Sequence, residues 1–379
     1  MIKIYIFGAG KCGRYIYDKI LRSGSSKIEI IGWIDNDHDK KMELPCYTIK
    51  EFLRIDRNSY DAVLVAVESR RSMTEMVCSL LAANITDIYI TEKNLYNGKY
   101  EVLTEEGKFS VHIKLYNDEK PLLKEVHIPL AMHCNLNCRR CGALSNINEE
   151  EFADLRMFEN SLKTLKHAFS HIGAVVLIGG EPLLNPQLSS FVEKTHLLLP
   201  ESKIFICTNG ILVKKLEKDT LEIMKKSNVL LQITQYPATV KIVQDTINFL
   251  DKTQINYTVT ETEEFGGQTL CREGNGDQIG KPFENGRCVI SRLCYEVYNE
   301  RLYTCSKVVD MYKHKDYLGL EIKENEVKEV SVDLTSKIEN GWDILKKFSS
   351  PHKLCHYCKK PKFYKWTNIG SPQPDDYIV

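Results

Sequence analysis

The chain carries no surplus of charge: among its 379 residues lysine and arginine total 51, and aspartate and glutamate total 51. A phosphate backbone is held by an excess of positive side chains, so nucleic acid is not expected as a partner. No apolar run reaches the ~20 residues that a bilayer-crossing helix needs, and no membrane contact is expected. The opening residues, MIKIYIFGAGKCG, lack the basic, apolar and small-residue sections of a signal peptide, which makes a cytoplasmic location the expectation. Internal repeats and low-complexity stretches are missing as well. Cysteine, by contrast, is plentiful at 13 residues. Where thiols stay reduced, clustered cysteines point to metal or catalysis rather than to disulfides. The length suits two or three domains, since domains usually run to ~100–200 residues.

The first hundred residues alternate short apolar runs with helical spacing. Strands are expected at 3–7, 28–34, 62–67 and 87–91, and helical stretches at 14–23, 49–55 and 71–83. Such alternation predicts a small parallel sheet with right-handed crossovers. Between the first strand and helix lies Gly8-Ala9-Gly10-Lys11-Cys12-Gly13. Backbone N–H groups at a helix N-terminus can receive a phosphate, and Gly8, Gly10 and Gly13 would let it come close. Asp35 closes the second strand, where a carboxylate can reach a ribose hydroxyl. The plain alternative is that the glycines serve tight helix–sheet packing. The stretches IFGAGKCGRYIYDKI and EIIGWIDND resemble the N-terminal domains fused to sugar acetyltransferases and polysaccharide-biosynthesis enzymes. That resemblance implies a Rossmann-like domain over residues 1–95 with a nucleotide or nucleotide-sugar as ligand. Residues 96–121 turn polar and read as a linker carrying one short hairpin.

A strand expected at 126–131 leads into HCNLNCRRCGA, which spaces Cys134, Cys138 and Cys141 by three and two residues. Three thiolates can ligate three irons of a 4Fe–4S cubane and leave the fourth iron open. A structural zinc site would be closed by a fourth ligand. His133 is adjacent, and a capping or packing role is its ordinary reading. The CX3CX2C spacing resembles that of radical S-adenosylmethionine (SAM) enzymes. Three further stretches strengthen the resemblance: Gly179-Gly180-Glu181-Pro182, Thr208-Asn209-Gly210 and Thr234-Gln235-Tyr236-Pro237, each after an expected strand. In that family the first holds the methionine amino group, and the others touch the ribose and the carboxylate. The position before Cys141 is usually aromatic there and is Arg140 here. Helical patterns at 159–171, 188–199, 212–226 and 240–252 alternate with the strands. The implied fold is a partial (β/α)6-type barrel over residues 122–270, with ligands at the C-terminal ends of its strands. The implied chemistry is reductive cleavage of SAM to methionine and a 5′-deoxyadenosyl radical, which takes a hydrogen atom from substrate; the cluster is re-reduced by a donor such as flavodoxin or ferredoxin.

Residues 271–379 hold Cys288, Cys294, Cys305, Cys355 and Cys358. The stretch YEVYNERLYT reads as a hairpin turning at Asn299-Glu300. A hairpin followed by a distant CxxC can gather four thiolates, for zinc or for iron. The arrangement resembles the Twitch or SPASM extensions of radical SAM enzymes, which implies an auxiliary 4Fe–4S cluster on Cys288, Cys305, Cys355 and Cys358, with Cys294 as the replacement. The glycine expected in that hairpin is Glu300. Cys12, Cys78 and Cys207 read as small core residues. Cys271, in a glycine-rich loop, is either a hydrogen-atom donor to a substrate radical or a plain loop residue. The whole chain is thus expected to be α/β, a radical SAM oxidoreductase or epimerase acting on a carbohydrate-like or nucleotide-linked small molecule in a glycan or secondary-metabolite pathway. Maturation of a ribosomal peptide is the alternative enzyme reading, and a non-catalytic iron–sulfur redox or nucleotide sensor the alternative of another class.

Overall fold

The computed structural model describes residues 2–22, 28–37, 42–67, 69–91, 113–116, 120–267, 270–272, 295–349, 351–359 and 362–378. It divides into two compact units, one built mainly from residues 1–122 together with Trp342–Ser350, the other from Leu123–Lys281, Cys288–Gly341 and Pro351–Val379. Both are α/β with parallel sheets. Among the described residues no helix is long and apolar enough to cross a membrane.

In the first unit β1 (Ile2–Phe7), β2 (Ile28–Ile34), β3 (Cys46–Tyr47), β4 (Ala62–Val65), β5 (Ile88–Thr91) and β6 (Ile113–Leu115) form one sheet ordered β3-β2-β1-β4-β5-β6. The first five are parallel, and β6 runs antiparallel along the edge. Ala62–Val65 is buried at every position, as a strand covered on both faces requires. Helix α1 (Lys11–Arg22) buries Cys12, Ile16 and Ile20 at four-residue spacing, one stripe of a 3.6-residue repeat. Short α2 (Ile49–Phe52) is set by a capping box between Thr48 and Glu51, and α3 (Arg70–Ala82) packs against the helix Trp342–Lys347. Residues 113–115, expected within the linker, are therefore a strand of this sheet.

The second unit is organised by an eight-stranded sheet. Strands β8 (Val126–Ala131), β10 (Ala174–Gly179), β11 (Lys203–Thr208), β12 (Leu230–Gln235) and β13 (Asn256–Glu261) lie side by side and parallel, in chain order. Helices α4 (Leu155–Ala168), α5 (Leu188–Leu198), α6 (Lys218–Lys226) and α7 (Val240–Thr253) supply the crossovers. β7 (Leu122–Leu123) and β9 (His171–Ile172) form a separate two-stranded ladder. The helix expected at 212–226 is broken: a 3-10 turn at Val213–Lys215 ends at extended Leu216, and α6 begins only after Glu217. Asp154 caps α4 by accepting the N–H groups of Arg156 and Met157.

The other edge of β8 is taken by the hairpin, β15 (Glu296–Tyr298) and β16 (Arg301–Tyr303), followed by β17 (Ser331–Asp333). Asn299 and Glu300 both adopt positive φ, 47° and 52°, the pairing that a two-residue type I′ turn demands. Glu300 stands where glycine would be free of strain, and its side chain accepts a hydrogen bond from Asn160 Nδ2 at 3.1 Å. After the hairpin, α8 (Ser306–Lys313) buries Val308, Val309, Asp310 and Met311. β14 (Glu264–Gly267) pairs antiparallel with β18 (Lys362–Lys365) in a separate two-stranded ladder.

Candidate active site

The cysteine loop leaves the C-terminal end of β8. His133 anchors it: the Glu151 N–H donates to His133 Nδ1 at 3.3 Å, Phe152 meets the ring edge-on at 5.0 Å, and the His133 carbonyl accepts the Glu181 N–H at 3.1 Å. His133 is therefore a packing residue, as its sequence context suggests. Cys134 Sγ accepts from the Leu136 N–H at 3.4 Å and from Asn209 Nδ2 at 3.9 Å, while Cys138 Sγ accepts from Trp366 Nε1 at 3.2 Å. Cys141 Sγ lies 3.1 Å from Ser145 Oγ. Burial pushes the Cys134 thiol up to about 12 and the Cys138 thiol up to about 11. Among the described residues no three His, Cys, Asp or Glu side chains gather as one metal ion would require. A cubane makes a different demand, because each thiolate binds its own iron. Three thiols with N–H donors aimed at two of them fit such a cluster, whose sulfurs are stabilised by hydrogen bonds.

At the end of β10 the backbone presses on this loop. Gly179 has φ 133°, and a Cβ there would meet the Ala131 carbonyl oxygen at 2.1 Å; at Gly180 it would meet that of His133 at 2.2 Å. Glu181 is fully buried and accepts hydrogen bonds from Thr208 Oγ1 at 2.7 Å, the Asn209 N–H at 2.9 Å and the Leu183 N–H at 3.1 Å. Burial raises its carboxyl to about 7 against the pull of these donors. Asn209 Nδ2 also donates to Asn135 Oδ1 at 2.7 Å. The Gly-Gly-Glu and Thr-Asn elements and the cysteine loop thus form one network, with the Glu181 carboxylate as an internal tie. Pro182 opens a buried 3-10 turn. Thr234 and Gln235 end β12, and Tyr236, next along, lies against Trp366 with ring centroids 5.7 Å apart. A cavity of about 190 Å³ opens beside the loop, lined by Met132, Gly142, Ala143 and Gly180 among others.

The C-terminal segment crosses the loop, a feature invisible in the motifs. Arg139 N–H donates to the Thr367 carbonyl at 3.0 Å, and Ile369 N–H to that of Asn137 at 3.0 Å. Arg139 Nε reaches Asp376 Oδ1 at 2.8 Å. Arg140, at φ 59°, holds its guanidinium 3.8 Å from the centroid of the Tyr364 ring, a cation–π contact with the C-terminal segment.

Of the C-terminal cysteines, Cys288 and Cys294 lie outside the described residues. Cys305 stands at the N-cap position of α8 without a side-chain cap hydrogen bond and packs on the core that holds Leu270, Leu354 and Tyr377. Cys355 lies in the 3-10 turn Lys353–Tyr357 and Cys358 follows it. Cys271 is buried: its N–H donates to the Tyr357 carbonyl at 2.9 Å, and the adjoining Leu270 bridges Cys358. Cys12 and Cys78 are buried, and half-buried Cys207 donates to Gln232 Oε1 at 3.2 Å.

In the first unit the glycine turn divides by role. Gly8 has φ 111°, and a Cβ on Gly13 would lie 1.9 Å from the Gly8 carbonyl oxygen, so Gly13 serves close helix–strand packing; at Gly10 a Cβ would meet nothing within 4 Å. Asp35 closes the second strand beside this turn. Its Oδ2 accepts the Ala9 N–H at 2.8 Å and its Oδ1 the Asp37 N–H at 3.0 Å, so the carboxylate helps to hold the turn.

Residues 128–264 match the family model described as the Radical SAM superfamily. This segment is a radical SAM domain. The family implies a 4Fe–4S cluster and SAM. The chain is also 24% identical over 257 residues to a GTP 3',8-cyclase of Helicobacter pylori (strain HPAG1), covering 62% of this chain and 75% of the relative. It is 27% identical over 228 residues to the GTP 3',8-cyclase of Nautilia profundicola, covering 57% and 70%. Among solved structures, BtrN in complex with AdoMet and 2-DOIA is similar at 19% identity and TM-score 0.38, over 52% of this chain and 77% of that one. The anSMEcpe structure with bound AdoMet reaches 19% and 0.31, over 37% and 43%.

Proposed function

We propose that the chain is a radical SAM enzyme that removes a hydrogen atom from a small carbohydrate-like substrate in the course of an oxidation. The observation that carries this is the convergence of Cys134, Cys138, Cys141, Gly180, Glu181 and Asn209 on one network at the ends of adjacent parallel strands, beside a cavity. When bound, the cluster and SAM supply a one-electron reductive cleavage that yields the hydrogen-abstracting radical. The protein's own part is to position and exclude. Cys134, Cys138 and Cys141 would hold three irons. The backbone at Gly179 and Gly180, with Thr208, Asn209, Thr234 and Gln235, would seat SAM. The tail, through Trp366 and Asp376, would brace the loop at Cys138 and Arg139.

Oxidation is preferred to epimerisation because Cys271, the thiol an epimerase would need, is turned into the core. Cys305, Cys355 and Cys358, with Cys288 or Cys294, would hold an auxiliary cluster able to accept the electron left after proton loss, and a flavodoxin or ferredoxin would feed the first cluster. At the first unit, the open space over Gly10 favours a nucleotide-sugar diphosphate at the turn. Gly10→Val should abolish that binding and leave the fold intact.

Anaerobic reconstitution tests the central reading. About eight irons should bind, two cubanes of four, and dithionite should drive formation of 5′-deoxyadenosine from SAM. The Cys134, Cys138 and Cys141 triple alanine variant should keep about half the iron and lose all cleavage. Full cleavage in that variant would overturn the proposal, and zinc in place of the second cluster would remove the auxiliary role.

A further inference from the structure

Two acids in the cavity play no part in the reaction as proposed. Glu296 stands on β15 directly opposite His127 of β8. Asp310 stands on α8, one helical turn beyond Ser306. Both line the cavity with His127, Met132, Gly180 and Ser306, and both are more than nine-tenths buried, at 7% and 4% exposure. No hydrogen bond from a described residue relieves either carboxyl. Of the charges nearby, His127 is engaged by Glu125 at 3.3 Å and Lys313 by Glu151. Lys307 and Lys313 act on Asp310 through space, but neither lines the cavity. Burial raises both carboxyls above their usual range, and Asp310 raises Glu296 further.

Two neighbouring acids are not buried in a largely apolar cavity without consequence, since a buried charge is tolerated when it is paired. Among the described lining residues there is no lysine or arginine to pair them. A phosphate entering here would meet like charge. An ammonium would meet its complement, with three N–H donors for acceptor-only carboxylates. At about 190 Å³ the cavity falls below the ~300 Å³ of pockets for drug-sized ligands, a size for one ring rather than a nucleotide.

We propose that Glu296 and Asp310 are the recognition site for an ammonium group on a small, hydroxyl-bearing substrate. This deepens the function proposed above and rests on it for the reaction performed.

The test is calorimetry of the full-length, anaerobically reconstituted protein with SAM present, titrated with glucosamine, N-acetylglucosamine and glucose 6-phosphate. Glucosamine should bind at least tenfold more tightly than either of the others. Glu296→Gln and Asp310→Asn should each weaken it at least tenfold. Without ligand both variants should raise the thermal midpoint, because each removes one of two neighbouring buried acids that disfavour each other's ionisation. The inference is overturned by equal affinity for the acetylated sugar, by preference for the phosphate, by no glucosamine binding, or by a lower midpoint in both variants. Cleavage of SAM by the wild-type protein reports separately: cleavage without amine selectivity overturns this inference alone, and amine binding without cleavage overturns the reaction alone.

Discussion

Trp366 illustrates what a single side chain does that its place in the sequence hides. Its indole N–H reaches Cys138 Sγ across 228 positions, and hydrogen bonds to cluster sulfurs are one of the levers on reduction potential. Trp366→Phe keeps the ring against Tyr236 and removes the donor. The cluster's potential should fall by tens of millivolts with iron content unchanged, read by a redox titration followed by electron paramagnetic resonance. Glu181 offers a second test. Its folded carboxyl is raised to about 7 from 4.5 by burial, so the folded state binds the proton more tightly than the unfolded one. The stabilisation this provides is complete below pH 4.5 and is lost as pH rises through about 7. A shift of that size is worth roughly 3 kcal/mol. Denaturant unfolding of the apoprotein at pH 5 and 8 should show a loss of that order, and Glu181→Gln should flatten it. The cysteine triad could be read from spacing alone because its three members lie on one loop. Trp366, Glu296 and Asp310 could not, because their partners are brought to them only by the tertiary fold.

Between residues and the whole, the strand ends do the positioning. Gly179 and Gly180 are needed because the turn after β10 runs against the backbone of the cysteine loop, with no room for a Cβ. Gly180→Ala should force that loop outward, at about 1–3 kcal/mol for an overpacked site, and lower both the thermal midpoint and the iron bound on reconstitution. Gly142 is the control: a Cβ there meets nothing within 4 Å, so Gly142→Ala should leave both unchanged. The long apolar strands, β1, β2, β8, β10 and β12, were readable from the sequence because each is an apolar run between turns. β3, β6 and β17, of two or three residues, exist only because a neighbouring strand offers its edge, and nothing local announces them. The hairpin turn was readable from Asn299. Its attachment to β8, which carries Glu296 into the cavity, depends on a pairing with His127 that no local pattern encodes.

Over the whole molecule, chain order and spatial unit part company. The stretch 271–379 reads as one cysteine-rich extension, yet Trp342–Ser350 belongs to the first unit. Trp342, Ile344, Leu345 and Phe348 are buried, and the Trp342 ring meets that of Tyr116 edge-on at 5.3 Å. This helix is amphipathic and short, so its pattern says that it packs somewhere without saying on what; only the distant residues of α3 and Tyr116 decide it. A fragment ending near residue 95 or 122 would therefore expose an apolar face that the native chain covers, and ligand binding to the first unit is best measured on the full chain. The same reasoning predicts that Trp342→Ala, although far along the chain, destabilises the first unit by about 3–5 kcal/mol, the usual result of truncating a buried tryptophan. Limited proteolysis read by mass spectrometry should show new early cleavages within residues 1–91, while peptides from β8, β10 and β11 keep their protection. Equal loss of protection in both would mean that the two units unfold as one, and early cleavage confined to the second would place this helix in the wrong unit.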